Sequence, residues 1–185
     1  MNKFDLIKKE ILDILPKSPL AFEQIHAKLV LEWVLKLKPD ADEALQIAAL
    51  SHDIERAITG ITEKDLDDYS KINEFKKEHS IRSANIITEI LAKHDYSQNT
   101  INKVKLLVEN HEFGGDQESD ILKNADSLAY FSYNIPFNLK RMGREKTKLK
   151  IQFMYNRLSD DAKNLVNQIK FLDKDIKILV KEAIS

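Results

Sequence analysis

The chain has 185 residues, enough for one domain with a sizeable core, and its 43% hydrophobic and 32% charged residues are a globular balance rather than a disordered one. A formal net charge of −1 gives no global attraction to nucleic acid or to an anionic membrane. Without cysteine there is no disulfide and no thiolate metal site, and four glycines and four prolines are too few for a turn-rich β architecture, so an all-α fold is expected.

Phe4, Ile7, Ile11, Ile14 and Leu15 make a first helical stripe, which Pro16 stops. Ser18 before Pro19 predicts the N-cap of a second helix running to about Lys38. His26 lies on it, with Phe22, Leu29, Val30 and Trp33 at helical spacing, and Pro39 breaks it. Asp40-Ala41-Asp42-Glu43 resembles a capping box and opens a third helix, predicted to continue until Gly60 ends it near Arg56 to Thr59. Counting back from His52 by three, four and seven residues gives Ala49, Ala48 and Leu45, so His52 faces the core. Asp53 is about 100° further round. Both side chains can reach a cation at the C-terminal end of this helix.

Thr62-Glu63-Lys64-Asp65 predicts the cap of a short helix through about Tyr69. A long helix follows from about Ile72 to Lys93, and its stripe of Ile72, Phe75, Ile86, Ile87, Ile90 and Leu91 includes His79. Ser97 or Asn99 caps the next helix, where Ile101, Val104, Leu107 and Val108 lead up to His111. Gly114-Gly115 turns the chain and Asp116 caps a helix carrying Ile121, Leu122, Ala125, Leu128, Ala129 and Phe131. Asp126 sits in the apolar middle of that helix, an unusual place for aspartate. Pro136 breaks it, the Gly143 region is a second break, and Ser159-Asp160-Asp161 caps a last helix to about Ala183. No stretch is long enough to span a bilayer, and Met1-Asn2-Lys3-Phe4-Asp5 lacks the apolar run of a signal peptide, so a cytoplasmic protein is expected.

His26, His52, Asp53, His79, His111 and Asp126 are therefore six metal-capable groups on five helices, each at an inward position. A single inward histidine is more often a hydrogen-bonded core residue than a ligand. Polar groups gathered in one core need a common partner, and a cation is the simplest. Imidazole with carboxylate suits Mn, Fe, Zn, Co or Ni rather than an all-oxygen Mg or Ca site. His94-Asp95 is a competing pair with Ile87, Ile90 and Leu91 behind it. It lies beside the polar Tyr96-Ser97-Gln98-Asn99 and would leave His52-Asp53 and His79 without roles, so His94 reads as a surface or C-cap residue.

The order His26, then His52-Asp53, then Asp126 resembles the HD-domain superfamily of metal-dependent phosphohydrolases. Ala48-Ala49-Leu50-Ser51-His52-Asp53-Ile54 is similar to its signature helix and Asn124-Ala125-Asp126-Ser127-Leu128 to its closing segment, over about Ile25 to Phe131. The resemblance implies a compact multi-helix bundle at about 20–135 with the metal site between its central helices; the C-terminal helices at about 137–185 lie outside it, and the length makes the whole of residues 1–185 a single all-helical domain. The resemblance also implies His26, His52, Asp53 and Asp126 as ligands of one divalent ion. His79 and His111 fall where two-metal members place further ligands, and Asp53 would then bridge two ions, Mn or Fe being favoured. One such branch cleaves dinucleoside tetraphosphates. This sequence lacks that branch's arginine-containing tail, since Asp126 is followed by Ser127-Leu128-Ala129-Tyr130.

The implied activity is hydrolysis of a phosphoester or phosphoanhydride of a nucleotide or other small phosphorylated metabolite. Asp53, Glu112 and Arg82 are the candidate catalytic residues, Glu112 as a partner of His111 or an acid-base group. Phosphate needs cations beyond the metals. Arg56 lies one turn after Asp53, Arg82 one turn after His79, and Lys77 is a weaker candidate. Arg144 belongs to a basic run with Arg141, Lys146 and Lys148 that could fold over the mouth. Two other classes share these residues: relatives with the same six ligands that use a di-iron pair for oxygenation, and a non-enzymatic nucleotide-binding module. The near-neutral charge argues against nucleic acid as substrate, and a homodimer is compatible with the sequence.

Overall fold

The computed structural model describes residues 2–184, apart from the side chains of Lys64 and Tyr69; Met1 and Ser185, the ends of the expected domain, lie outside the described residues. The fold is all-α, with no strand among the described residues. Its helices are α1 (Lys3–Ile14), α2 (Glu23–Leu37), α3 (Glu43–Ser51), α4 (Glu55–Thr59), α5 (Ile72–Lys93), α6 (Gln98–Asn110), α7 (Gln117–Ala129), α8 (Ile135–Asn156), α9 (Asp160–Val166) and α10 (Lys174–Ile184). A π-helical turn, Tyr130–Asn134, joins α7 to α8.

The bundle is built on α3. Asp42 caps it, accepting a hydrogen bond from the Leu45 backbone N–H at 3.0 Å. Leu45, Ile47, Ala48, Ala49 and Leu50 are wholly buried on it. An apolar helix of this kind is stable only when covered on every side, and α1, α2, α6 and α7 cover it. The small Ala48 and Ala49 allow that close approach. Each large apolar side chain so buried contributes roughly 1.5–3 kcal/mol. Ile7, Ile11 and Leu15 from the first stripe join this cluster. A second cluster begins at Leu128 and takes in Phe131, Ile151, Met154, Val166 and Leu179. Trp33 and Leu37 of α2 pack against both.

Three expected helices are shorter than the apolar pattern implied. The second begins at Glu23, not at Pro19, because Leu15–Lys17 forms a 3-10 turn and the Ser18 hydroxyl caps only the Leu20 N–H, at 3.1 Å. The third stops at Ser51, and α4 starts four residues later. The last is two helices, Ser159 capping only the short α9. The stretch after Thr62 holds 3-10 turns in place of a helix. Pro136 sits in the first turn of α8, where its missing N–H costs nothing, and so starts a helix rather than ending one. Gly143, at φ +80°, kinks α8. Ser97 is the cap of α6.

Candidate metal centre

The chain break at Ser51 is what builds the site. His52 caps the C-terminus of α3 and Asp53 follows in the turn before α4, so two neighbours that a continuous helix would splay apart aim at one centre. His26 comes from the first turns of α2, His79 from the middle of α5, His111 from the C-cap of α6, and Asp126 from the last turn of α7. All six are buried. Ligand-capable atoms of His26, His52 and Asp53 lie within 4.8 Å of one another, as do those of Asp53, His79 and His111. Asp53 is common to both groups. Its Oδ1 is 2.7 Å from His79 Nε2 and 3.7 Å from His111 Nε2, while its Oδ2 is 3.4 Å from His52 Nε2. Asp126 Oδ1 stands 3.0 Å from His26 Nε2 and 3.9 Å from His52 Nε2.

The ring hydrogen bonds suit a cation. His52 Nδ1 meets the Ala49 carbonyl at 3.0 Å and His111 Nδ1 meets the Val108 carbonyl at 2.7 Å. Each is the helical carbonyl three residues back, so both rings donate from Nδ1 and leave the Nε2 lone pair facing inward. Those two Nε2 atoms are buried without a hydrogen-bond partner. Unsatisfied buried nitrogens around shared carboxylates are costly by themselves, and a divalent ion satisfies them together. The buried histidine and aspartate groups can therefore hold metal.

The electrostatics agree. Burial opposes ionisation of Asp53 and Asp126, but Arg56 and Arg157 in front of them, helped by the histidines, hold both carboxyls well below the usual range. Burial pushes the His111 pKa down to about 4, leaving that ring neutral. At His52 burial also disfavours charge, yet Asp53 and Asp126 outweigh it and raise the pKa from 6.5 to about 9. Without metal, His52 is thus protonated at neutral pH, and this stabilises the fold fully below pH 6.5 and fades as the pH rises through about 9. A cation must displace that proton. Metal binding at pH 7 is expected to release protons, about one of them from His52 and a further share from His79, whose pKa, against burial and Arg56, is also raised by Asp53 and Glu55. Calorimetric titration in two buffers of different ionisation enthalpy measures the number, which should fall by about one as the pH rises through about 9.

A residue that the sequence reading missed supports the second half of the cluster. Glu55, wholly buried at the start of α4, accepts from His79 Nδ1 at 2.8 Å and is itself held by Arg82 Nε at 2.6 Å. This bond fixes the His79 tautomer with Nε2 toward Asp53. A signal was present: a second acid two residues after Asp53, at the start of a helix with nothing apolar to explain its position. Glu55→Gln is expected to weaken the ion held by His79 and His111 roughly 10–100-fold while sparing the other, read as metal affinity by competition with a chromogenic chelator.

The candidate phosphate contacts divide. Arg56 lies in the cavity above the cluster, its Nη1 on Asp53 Oδ2 and 3.4 Å from Glu23. Glu112 also lines the cavity, bonded to Lys76 Nζ at 2.7 Å and Arg157 Nη1 at 3.0 Å. Arg82 does not face it: Glu55 stands between this arginine and His79. Arg144 pairs with Glu182 at 2.7 Å, half-exposed and away from the centre. Of the basic run only Arg141 lines the cavity; Lys146 is exposed, and Lys77 is exposed with the neighbouring Lys76 buried in its place. Lys76 is three residues before His79, so periodicity could have found it; Lys150, Met154 and Arg157 share one helical face at the end of α8, but nothing in the sequence says which face another helix covers. His94 stands apart, bonded to Glu10 at 2.5 Å.

A family model described as "Domain of unknown function (DUF4202)" matches residues 4–180. No curated protein and no solved structure matches. Among the described residues no helix is long and apolar enough to cross a membrane.

Proposed function

The chain belongs to the DUF4202 family, and from the geometry of its buried centre we propose a divalent-metal-dependent phosphohydrolase of the HD-domain type. One observation carries the reading: the histidine–aspartate cluster opens onto a cavity whose walls present Arg56, Lys76, Arg141, Lys150 and Arg157. A pocket that gathers five cations beside a metal-capable cluster suits an anionic ester.

His26, His52, Asp53 and Asp126 would hold one ion and Asp53, His79 and His111 a second, Mn or Fe being favoured by the donor set. When bound, such ions make a nucleophile of water at neutral pH and neutralise the attacking and leaving oxygens. The remaining roles fall to the chain. Arg56 and Arg157, each fixed against a ligand carboxylate, orient phosphoryl oxygens with pre-positioned N–H donors. Glu112 is held ionised by Lys76 and then Arg157 against the effect of burial, so it serves as a fixed negative charge that positions those two cations rather than as a proton donor. Lys76, buried on the cavity wall and bonded to Glu112, would add a further cationic donor for a phosphoryl oxygen.

The test is phosphate release from a panel of nucleotides and small phosphoesters by protein loaded with Mn, with His52→Ala/Asp53→Ala as control. Turnover that vanishes in the control is expected. A fully metal-loaded protein that releases phosphate from none of them would overturn the proposal. Retained iron with a mixed-valent EPR signal and oxygen consumption would move the assignment to the oxygenase class.

A further inference from the structure

Four of the five cavity cations have a carboxylate partner: Arg56 with Asp53, Lys76 and Arg157 with Glu112, and Lys150 with Glu63 at 2.8 Å. Arg141 has none among the described residues. Its one hydrogen bond runs from Nη2 to Asn138 Oδ1 at 3.5 Å, while Nε and Nη1 are shut off from solvent with no acceptor. Two further polar groups lie in the same cavity. Asn134 Oδ1 is buried without a partner on a residue 5% exposed, and the hydroxyl of Tyr130, a residue 2% exposed, has only a loose contact with the Asn138 side chain and no hydrogen bond of good geometry. Rotation of the Asn134 amide turns its NH₂ to the same place.

These groups are set apart from the metal cluster. Tyr130 and Asn134 lie on the π-helical turn, a local distortion that recurs at functional sites, and Arg141 lies on α8 before the Gly143 kink. Their side chains make no hydrogen bond or ion pair with the six metal-capable residues, although the Tyr130 backbone N–H donates to the Asp126 carbonyl at the end of α7. Arg141 is half-buried, and two of its three guanidinium nitrogens are out of solvent with neither an acceptor nor a counter-charge, an arrangement that is costly to keep. Its planar fork matches a phosphoryl group. Among the described residues the apolar wall of the cavity is Leu20, Phe22, Met154 and the ring of Tyr130, a small share of a lining that is otherwise polar or charged.

Resting on the phosphohydrolase reading, we infer that the substrate class is a compact bisphosphate, one phosphoryl group at the metal cluster and a second held by Arg141, Tyr130 and Asn134. The second group is a specificity determinant, bound but not cleaved.

Two hydrolysis-resistant probes test this on the metal-loaded protein, 1,3-propylenediphosphonate and propylphosphonate, by isothermal titration calorimetry. The diphosphonate is expected to bind at least about tenfold tighter, or roughly 1.4 kcal/mol. Arg141→Met should abolish that advantage, weakening the diphosphonate at least about fivefold more than propylphosphonate, and Arg141→Lys should keep part of it by retaining the charge without the fork. Equal affinities in the parent protein, no diphosphonate binding, or an undiminished advantage in Arg141→Met would each overturn the second subsite. Metal per chain, measured on the same samples, separates the two readings. Full occupancy confines a negative result to the second subsite, whereas a chain that takes up no metal overturns the hydrolase and the subsite together.

Discussion

Asp53→Asn is expected to empty the whole metal centre, taking bound metal from about two ions per chain to almost none and phosphate release down by on the order of 10³-fold or more. The substitution keeps the shape and removes the charge. Each oxygen of Asp53 serves a different half of the cluster, Oδ1 toward His79 and His111 and Oδ2 toward His52. No other side chain belongs to both groups. His79→Ala, by contrast, should lower the count from about two to about one, because only the second group loses a ligand. The fold should survive Asp53→Asn, since Arg56 keeps Glu23 as a partner. Elemental analysis beside a far-UV circular dichroism melt checks both halves. Unchanged metal content in Asp53→Asn would place the centre elsewhere.

Arg157→Met should have the largest effect on stability. The guanidinium joins three elements: Nη1 lies 3.0 Å from Glu112 and 3.1 Å from Asp126, and Nη2 donates to the His111 carbonyl at 2.8 Å. Methionine fills the volume and leaves two buried carboxylates short of a counter-charge. Breaking a buried ion pair from one side costs about 3–5 kcal/mol, and that loss is expected in urea unfolding of metal-free protein. Divalent metal should recover part of it, because an ion at the cluster supplies Asp126 with positive charge and binds only the folded chain. A loss below about 1 kcal/mol would show that Lys76 and His26 compensate fully.

The six metal-capable residues were legible because they are polar exceptions in apolar stripes, and a stripe reports which way a side chain points. His26, His79 and Asp126 are cases of this kind. Helix ends were harder. The apolar run through Ile54 gave no hint that α3 stops at Ser51, since the break is imposed by packing and by the shared centre rather than by a proline or glycine. Arg82 shows the limit of the same logic. One turn after His79 it does lie on the near side of α5, but an unforeseen Glu55 intercepts it. Arg157 and Lys150 were hidden among 29 lysines and arginines, because charge on a helix says nothing of which cations another helix will cover.

Trp33 is the single tryptophan of the chain. Its indole N–H donates to the Ser132 hydroxyl at 3.0 Å in the π-helical turn, its ring packs against both apolar clusters, and Lys36 lies over its face at 4.4 Å. The molecule thus carries its one indole fluorophore, selectively excited at the red edge of aromatic absorption, at the seam between its two halves. Detachment of the α8–α10 layer would wet the indole and redden its emission while the helical dichroism of the rest persisted. Emission and dichroism followed together along one denaturant series therefore tell whether the two layers melt as one cooperative body or in sequence.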